Sequence, residues 1–231
     1  MLDRTALLDS IATDCATIAA IARTDGDSAP IAHCGGWTVS GVVAHLGDVH
    51  RWATGIVTTG HPPEVDIDHV PDGELVAWFE AGAAALLRTL RDTDPESRCW
   101  TFGLPPGNAG FWTRRQALEA VVHRFDVESA VRPPSPIPTE LAVMGIDEVA
   151  NFLFDRQVGL ERTAALDGLV SLEATDAGIT LQLGASGAGT ATISGRSEDL
   201  LLMLWRRPHG QLARSGDSGL LAAFDAAALT P

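Results

Sequence analysis

A change of hydrophobic period near residue 160 constrains this chain more than any single motif. Up to about residue 158, Ala, Leu and Val recur in runs long enough for helices, separated by clusters rich in Pro, Gly and Asp. Beyond it the apolar residues fall into short segments with partial alternation, LVSLEAT, GITLQLG and GTATISG. An Asp-Ala-Gly turn signal separates the first two. The expected class is α+β overall, with a four-helix unit and linker helix over 1–158 and a small α+β domain over 165–231.

Within the first part, helices are expected over 3–23, from Thr38 or Ser40 onward, over 74–92, from about 114, and over 139–157. GHPPEVDIDHVPDG and the stretch containing PPGNAG read as the long connections. In the second part SEDLLLMLWRR reads as a helix that Ser197 can cap, and DSGLLAAFDAAAL as a last helix.

Charge and cysteine content remove several function classes. The formal charge is −14, from 16 basic and 30 acidic residues, which argues against nucleic acid or an anionic membrane as the main partner. Charged residues interrupt the N-terminal apolar stretch, so neither a secretory signal nor an uncharged membrane-length run is expected. Cys15, Cys34 and Cys99 are odd in number and widely spaced, which fits a cytoplasmic setting rather than a disulfide framework. None lies in a motif that marks a catalytic thiol. No Walker sequence or Gly-rich dinucleotide fingerprint is present.

WTRRQALEAVVHRFDVESA, residues 112–130, carries the most chemistry. Thr113 followed by Gln116 fits a capping box, setting the expected helix start. Leu118, Val121, Val122 and Phe125 form an apolar sector, with Glu119, His123 and Asp126 in a polar stripe beside it. Glu119 and His123 are four residues apart and converge. The spacing alone fits an exposed ion pair, or half of a metal site built from a carboxylate and a neutral imidazole. Asp126 fits a further ligand, an acceptor behind a ligand, or a surface charge.

A second helix supplies another donor. In GVVAHLGDVHRWATGI, Val42, Val49, Trp52 and Ile56 lie within about 60° of His45 on a helical wheel, so His45 is expected to face inward. His50, offset by about 140°, is expected outside. His45 reads either as a core-edge histidine or as a ligand meeting Glu119 and His123 from a facing helix. Two imidazoles and one carboxylate suit zinc best and also accept nickel, cobalt or iron.

These segments, with GGWTVSGVVAHLGDVHRWA (35–53) and ATISGRSEDLLLMLWRR (191–207), resemble the actinobacterial mycothiol-dependent maleylpyruvate isomerase family, within the DinB-like metal-binding superfamily. The resemblance implies a DinB-like four-helix bundle followed by a small domain of sterol-carrier-like fold. It implies a divalent metal, usually zinc, held by His45, Glu119 and His123, with mycothiol as the thiol and the chemistry occurring at the metal. An electrophilic small molecule, maleylpyruvate or a relative, would then be isomerised by thiolate addition and elimination, or conjugated by transfer. It also offers Arg206 and Arg207 as contacts for a carboxylate of mycothiol or substrate, although a basic helix end complementing the dipole explains them equally well. Two other classes remain open at this level: a metal-bearing small-molecule binding or interaction module, and a metal-dependent hydrolase. Trp37 and Trp112, preceding two helices, read as staples or pocket walls.

Overall fold

The computed structural model describes residues 2–24, 28–64, 74–102 and 107–231. Most of the expected 60–73 connection, and the start of PPGNAG, lie outside them. The described chain divides into two compact units, Leu2–Ser135 and Pro136–Pro231.

The first unit holds α1 (Arg4–Thr24), α2 (Val39–Thr59), α3 (Leu75–Asp92) and α4 (Ala109–Val131). Helix α1 packs on α3 and α4, and α2 packs on the same two helices. Ile11, Ile18, Leu46, Ile56, Phe79 and Leu118 are fully buried between them. By length and composition α1 is apolar enough to cross a membrane. Its apolar face is used inside the bundle instead, and its buried Asp14 accepts a charge-assisted bond from Arg124 Nε of α4 at 2.9 Å.

Local signals set the helix ends. Thr38 caps α2, its hydroxyl accepting from the Gly41 amide at 3.2 Å. Helix α4 starts earlier than the Thr113–Gln116 signature suggests. Asn108 is its cap, accepting from the Phe111 amide at 3.2 Å. The Ala109 and Gly110 amides are taken up by the carbonyls of Ser97 and Pro95. With those first donors satisfied, the helix gains a turn, and Thr113 and Gln116 end up buried inside it.

The second unit begins with α5 (Thr139–Glu148), continues through a π-helical turn (Val149–Leu153) and ends that rod with α6 (Phe154–Gly159). The expected division kept this linker helix with the bundle. In the structure α5 groups with the second unit, packing on α7, and the Ile137 amide just before it donates to Glu198 of α7 at 2.8 Å. Strands β1 (Gly168–Ala174), β2 (Ile179–Gly184) and β3 (Gly189–Gly195), helix α7 (Ser197–Leu204), β4 (Ala213–Gly216) and α8 (Ser218–Ala226) complete it.

The sheet order is β2-β1-β3-β4, with β1 antiparallel to β2 and parallel to β3, and β4 antiparallel to β3. Helices α7 and α8 pack on β1 and β3, over Val170, Leu172 and Ile193. Strand β4 was not anticipated, because its four residues are all exposed and leave no alternation to read. Ser197 does not cap α7: its amide and hydroxyl donate to the Asp176 carboxylate at 2.8 and 3.1 Å.

Close contact between α2 and α3 depends on a missing side chain. A β-carbon on Gly47 would fall within the Trp78 ring, which Arg51 covers from 3.8 Å above its centroid. We expect Gly47→Ala to lower stability by about 1–3 kcal/mol, seen as a reduced urea midpoint at unchanged slope.

Candidate metal centre

Helix α4 is buried on nearly every side from Trp112 to Glu128, so its polar side chains must find partners within the bundle. Glu119 is the focus. Its Oε1 lies 3.1 Å from His45 Nε2 on α2 and 3.4 Å from His123 Nε2, one helical turn further along α4. The ligating atoms of the three residues all lie within 4.8 Å of one another. The other carboxylate oxygen, Oε2, is engaged by Arg115, a turn earlier on α4 and itself buried. Burial opposes ionisation of Glu119, but Arg115 and hydrogen bonds from both histidines hold its carboxyl well below the usual range.

His123 is fixed from behind. Its Nδ1 lies 3.0 Å from Asp126 Oδ2, and Asp126 Oδ1 lies 2.8 Å from His33 Nε2 in the loop before α2. Asp126 has no exposed surface. Burial alone would lower the His123 pKa, yet the Asp126 and Glu119 bonds outweigh it and raise the value to about 9 in the metal-free chain. The same loop carries Trp37, whose ring lies parallel to the His123 imidazole at 6.3 Å and edge-on to His45 at 5.2 Å. Trp37 is 39% exposed, so it walls the histidines from outside the core.

The structure brings the ligating atoms of His45, Glu119 and His123 together and sets Asp126 as an acceptor behind His123. His45 sits at the bundle's edge, its side chain 35% exposed. One expectation is overturned. His50 is only 1% exposed, its Nε2 3.8 Å from Cys15 Sγ of α1 and its ring 5.4 Å from Phe79 of α3. The side of helix α2 that carries His50 is covered by α1 and α3, so a wheel that assumed one buried face misplaced it.

Arg206 and Arg207 follow α7 in the second unit. Arg206 donates to the carbonyls of Phe224 and Ala227 at 3.4 and 2.8 Å, fastening the end of α8, and Arg207 donates to the Trp205 carbonyl at 2.7 Å. Trp112 and Trp52 share an aromatic cluster with Trp100 and Phe102, and the Trp112 ring N–H donates to the Trp100 carbonyl. Arg115 and His33 were missed. The four-residue step from Arg115 to Glu119 was a readable signal, whereas nothing in the irregular loop around His33 marks a partner.

A helical bundle that converges two imidazoles and a carboxylate, joined to a small α+β unit with a four-stranded mixed sheet, defines a distinct class of two-unit protein. Residues 8–128 match the model of the mycothiol maleylpyruvate isomerase N-terminal domain, and residues 140–223 that of the corresponding C-terminal domain. The chain belongs to this family. A crystal structure of the mycothiol-dependent maleylpyruvate isomerase superposes with a TM-score of 0.72 at 15% identity, covering 93% of each chain. A histidine-to-alanine mutant of that enzyme gives 0.67, at the same identity and coverage. At that identity the likeness speaks for the fold. A comparison with curated proteins finds no significant match.

His50 offers a test of the bundle interior. Burial drives its pKa from 6.5 down to about 3, so it stays neutral in the fold. The unfolded chain takes up that proton first on acidification. The contribution of neutral His50 is therefore present above pH 6.5 and is lost as pH falls toward 3. Between about pH 6 and 4, wild type should lose roughly 1.4 kcal/mol per pH unit more than His50→Leu in urea unfolding.

Proposed function

We propose that this chain is a divalent-metal-dependent enzyme that uses mycothiol to isomerise or conjugate a small electrophile in the cytoplasm. The convergence of His45 Nε2, Glu119 Oε1 and His123 Nε2 carries this reading. These are the donors a zinc site with an open position uses. They fit the ion because the chain already occupies their other atoms: Arg115 takes Glu119 Oε2, and Asp126 takes His123 Nδ1. When bound, the metal supplies the positive charge that favours thiolate over thiol near neutral pH.

The protein's own contribution is arrangement. Glu119 is kept ionised by Arg115, so one negative charge is available to the ion without a proton to displace from it. Trp37 covers the two imidazoles with an apolar ring and restricts access by water. In the second unit, Arg206 and Arg207 are proposed as contacts for a carboxylate of mycothiol or substrate. A maleylpyruvate-like cis-unsaturated acid is the proposed substrate, on the strength of family membership.

Anaerobic purification, metal analysis and titration with mycothiol test the proposal. The expected result is close to one divalent metal per chain, with thiol addition changing its coordination spectrum. His45→Ala and His123→Ala should each lower metal affinity, and His50→Ala should leave the stoichiometry unchanged. Full metal occupancy without thiol binding would remove mycothiol from the reading. No specific metal binding would overturn the ligand set.

A further inference from the structure

We infer that Asp126 and His33 form a positioning pair that decides which nitrogen His123 offers to the metal. The inference rests on the ligand set proposed above and concerns residues outside it.

The geometry is a buried line of three side chains. His33 Nε2 meets Asp126 Oδ1 at 2.8 Å, and Asp126 Oδ2 meets His123 Nδ1 at 3.0 Å. A carboxylate offers only acceptors, so Nδ1 of His123 is the nitrogen that carries hydrogen. Nε2 is the nitrogen directed toward Glu119 Oε1, and it is the one whose hydrogen an arriving ion displaces. With the Nδ1 hydrogen held by Asp126, the nitrogen left to offer a lone pair to an ion beside His45 and Glu119 is Nε2. A hydrogen-bonded carboxylate behind an imidazole also makes it a stronger donor.

His33 holds Asp126 in that orientation. Asp126 lies three residues after His123, and without a partner on its far side its carboxylate could swing about the Cα–Cβ bond. His33 comes from outside α4, in a loop closed by the Pro30–Thr38 bridge and by the Ile31 amide donating to the Trp37 carbonyl at 2.8 Å. Its ring packs on Phe125 at 5.9 Å. The loop thus grips α4 at two points, His33 on Asp126 and Trp37 over the His123 ring.

A different role for the same atoms is a second ion held by His33, Cys34 and Asp126, whose ligating atoms also lie within 4.8 Å of one another. Both roles use the His33–Asp126 contact, but only the hydrogen-bonded line also uses the 3.0 Å contact from Asp126 Oδ2 to His123 Nδ1. The two roles differ in stoichiometry.

The test measures zinc affinity by chelator competition and the visible spectrum of the cobalt(II)-loaded protein, for wild type, Asp126→Asn, His33→Gln and Cys34→Ala. In Asp126→Asn the charged acceptor is replaced by a neutral amide whose oxygen can meet only one of the two imidazoles, so the hold on the Nδ1 hydrogen weakens. Its zinc Kd should rise about 10–100-fold, with altered cobalt bands. His33→Gln should give a smaller rise in Kd with the same direction of spectral change, and it decides the matter if Asp126→Asn does not fold. Cys34→Ala should keep wild-type stoichiometry and affinity. Folded Asp126→Asn and His33→Gln proteins with wild-type Kd and spectrum would overturn the positioning role while leaving the ligand set standing. Two bound ions in wild type, one of them lost in Cys34→Ala, would overturn it in favour of a second site. A wild-type chain that binds neither zinc nor cobalt would overturn the ligand set and this inference together.

Discussion

Burying an ionised carboxylate is costly unless cations and hydrogen bonds surround it, and this bundle is arranged around one such group. Glu119 lies inside a helix covered on nearly every side, with Arg115 on one oxygen and two imidazoles on the other. Removing the arginine would leave the charge stranded. Removing the histidines would leave an oxygen without donors. The candidate centre and the packing of α4 against α2 are therefore one problem with one solution.

The same constraint runs along the rest of α4. Arg124 reaches Asp14 on α1 as well as Glu128, and Glu128 in turn accepts from Arg132 and from the amide of Ser135 at 2.9 Å. Burial pushes the Asp14 carboxyl up to about 6 even with Arg124 beside it. Of these pairs only Arg124–Asp14 ties α4 to another helix, and a buried ion pair roughly offsets its own desolvation. With Glu119 meeting His45 of α2 as well, the helix has little freedom to rotate, which is what a set of converging ligands needs.

Family membership and fold place this chain beside a mycothiol-dependent enzyme, at an identity low enough for pockets to diverge. Here the parts near the imidazoles divide by position. Trp37, 39% exposed, lies beside both rings, and the His33–Asp126 pair meets His123 at Nδ1. Trp37 and His33 both come from the loop that precedes α2, so one short irregular segment meets a face of His123 directly and its Nδ1 edge through Asp126.

Much of this was legible in the residues alone. Period and turn signals indicated the helices of the first unit, three strands and the helix that follows them, because those features are local. The four-residue step from Glu119 to His123 was legible for the same reason, and the inward face of α2 suggested His45. What the sequence could not supply was anything requiring a partner distant along the chain. It placed His50 outside, because a wheel shows one helix and not the two that cover it. It started α4 at Thr113, because the carbonyls that satisfy the earlier amides come from another segment. It left Asp126 with three roles, since the choice depended on His33, 93 residues away. Local chemistry determined which residues were able to act. Only tertiary packing, by burying α4 and forcing each charge to find a partner, decided which of them meet.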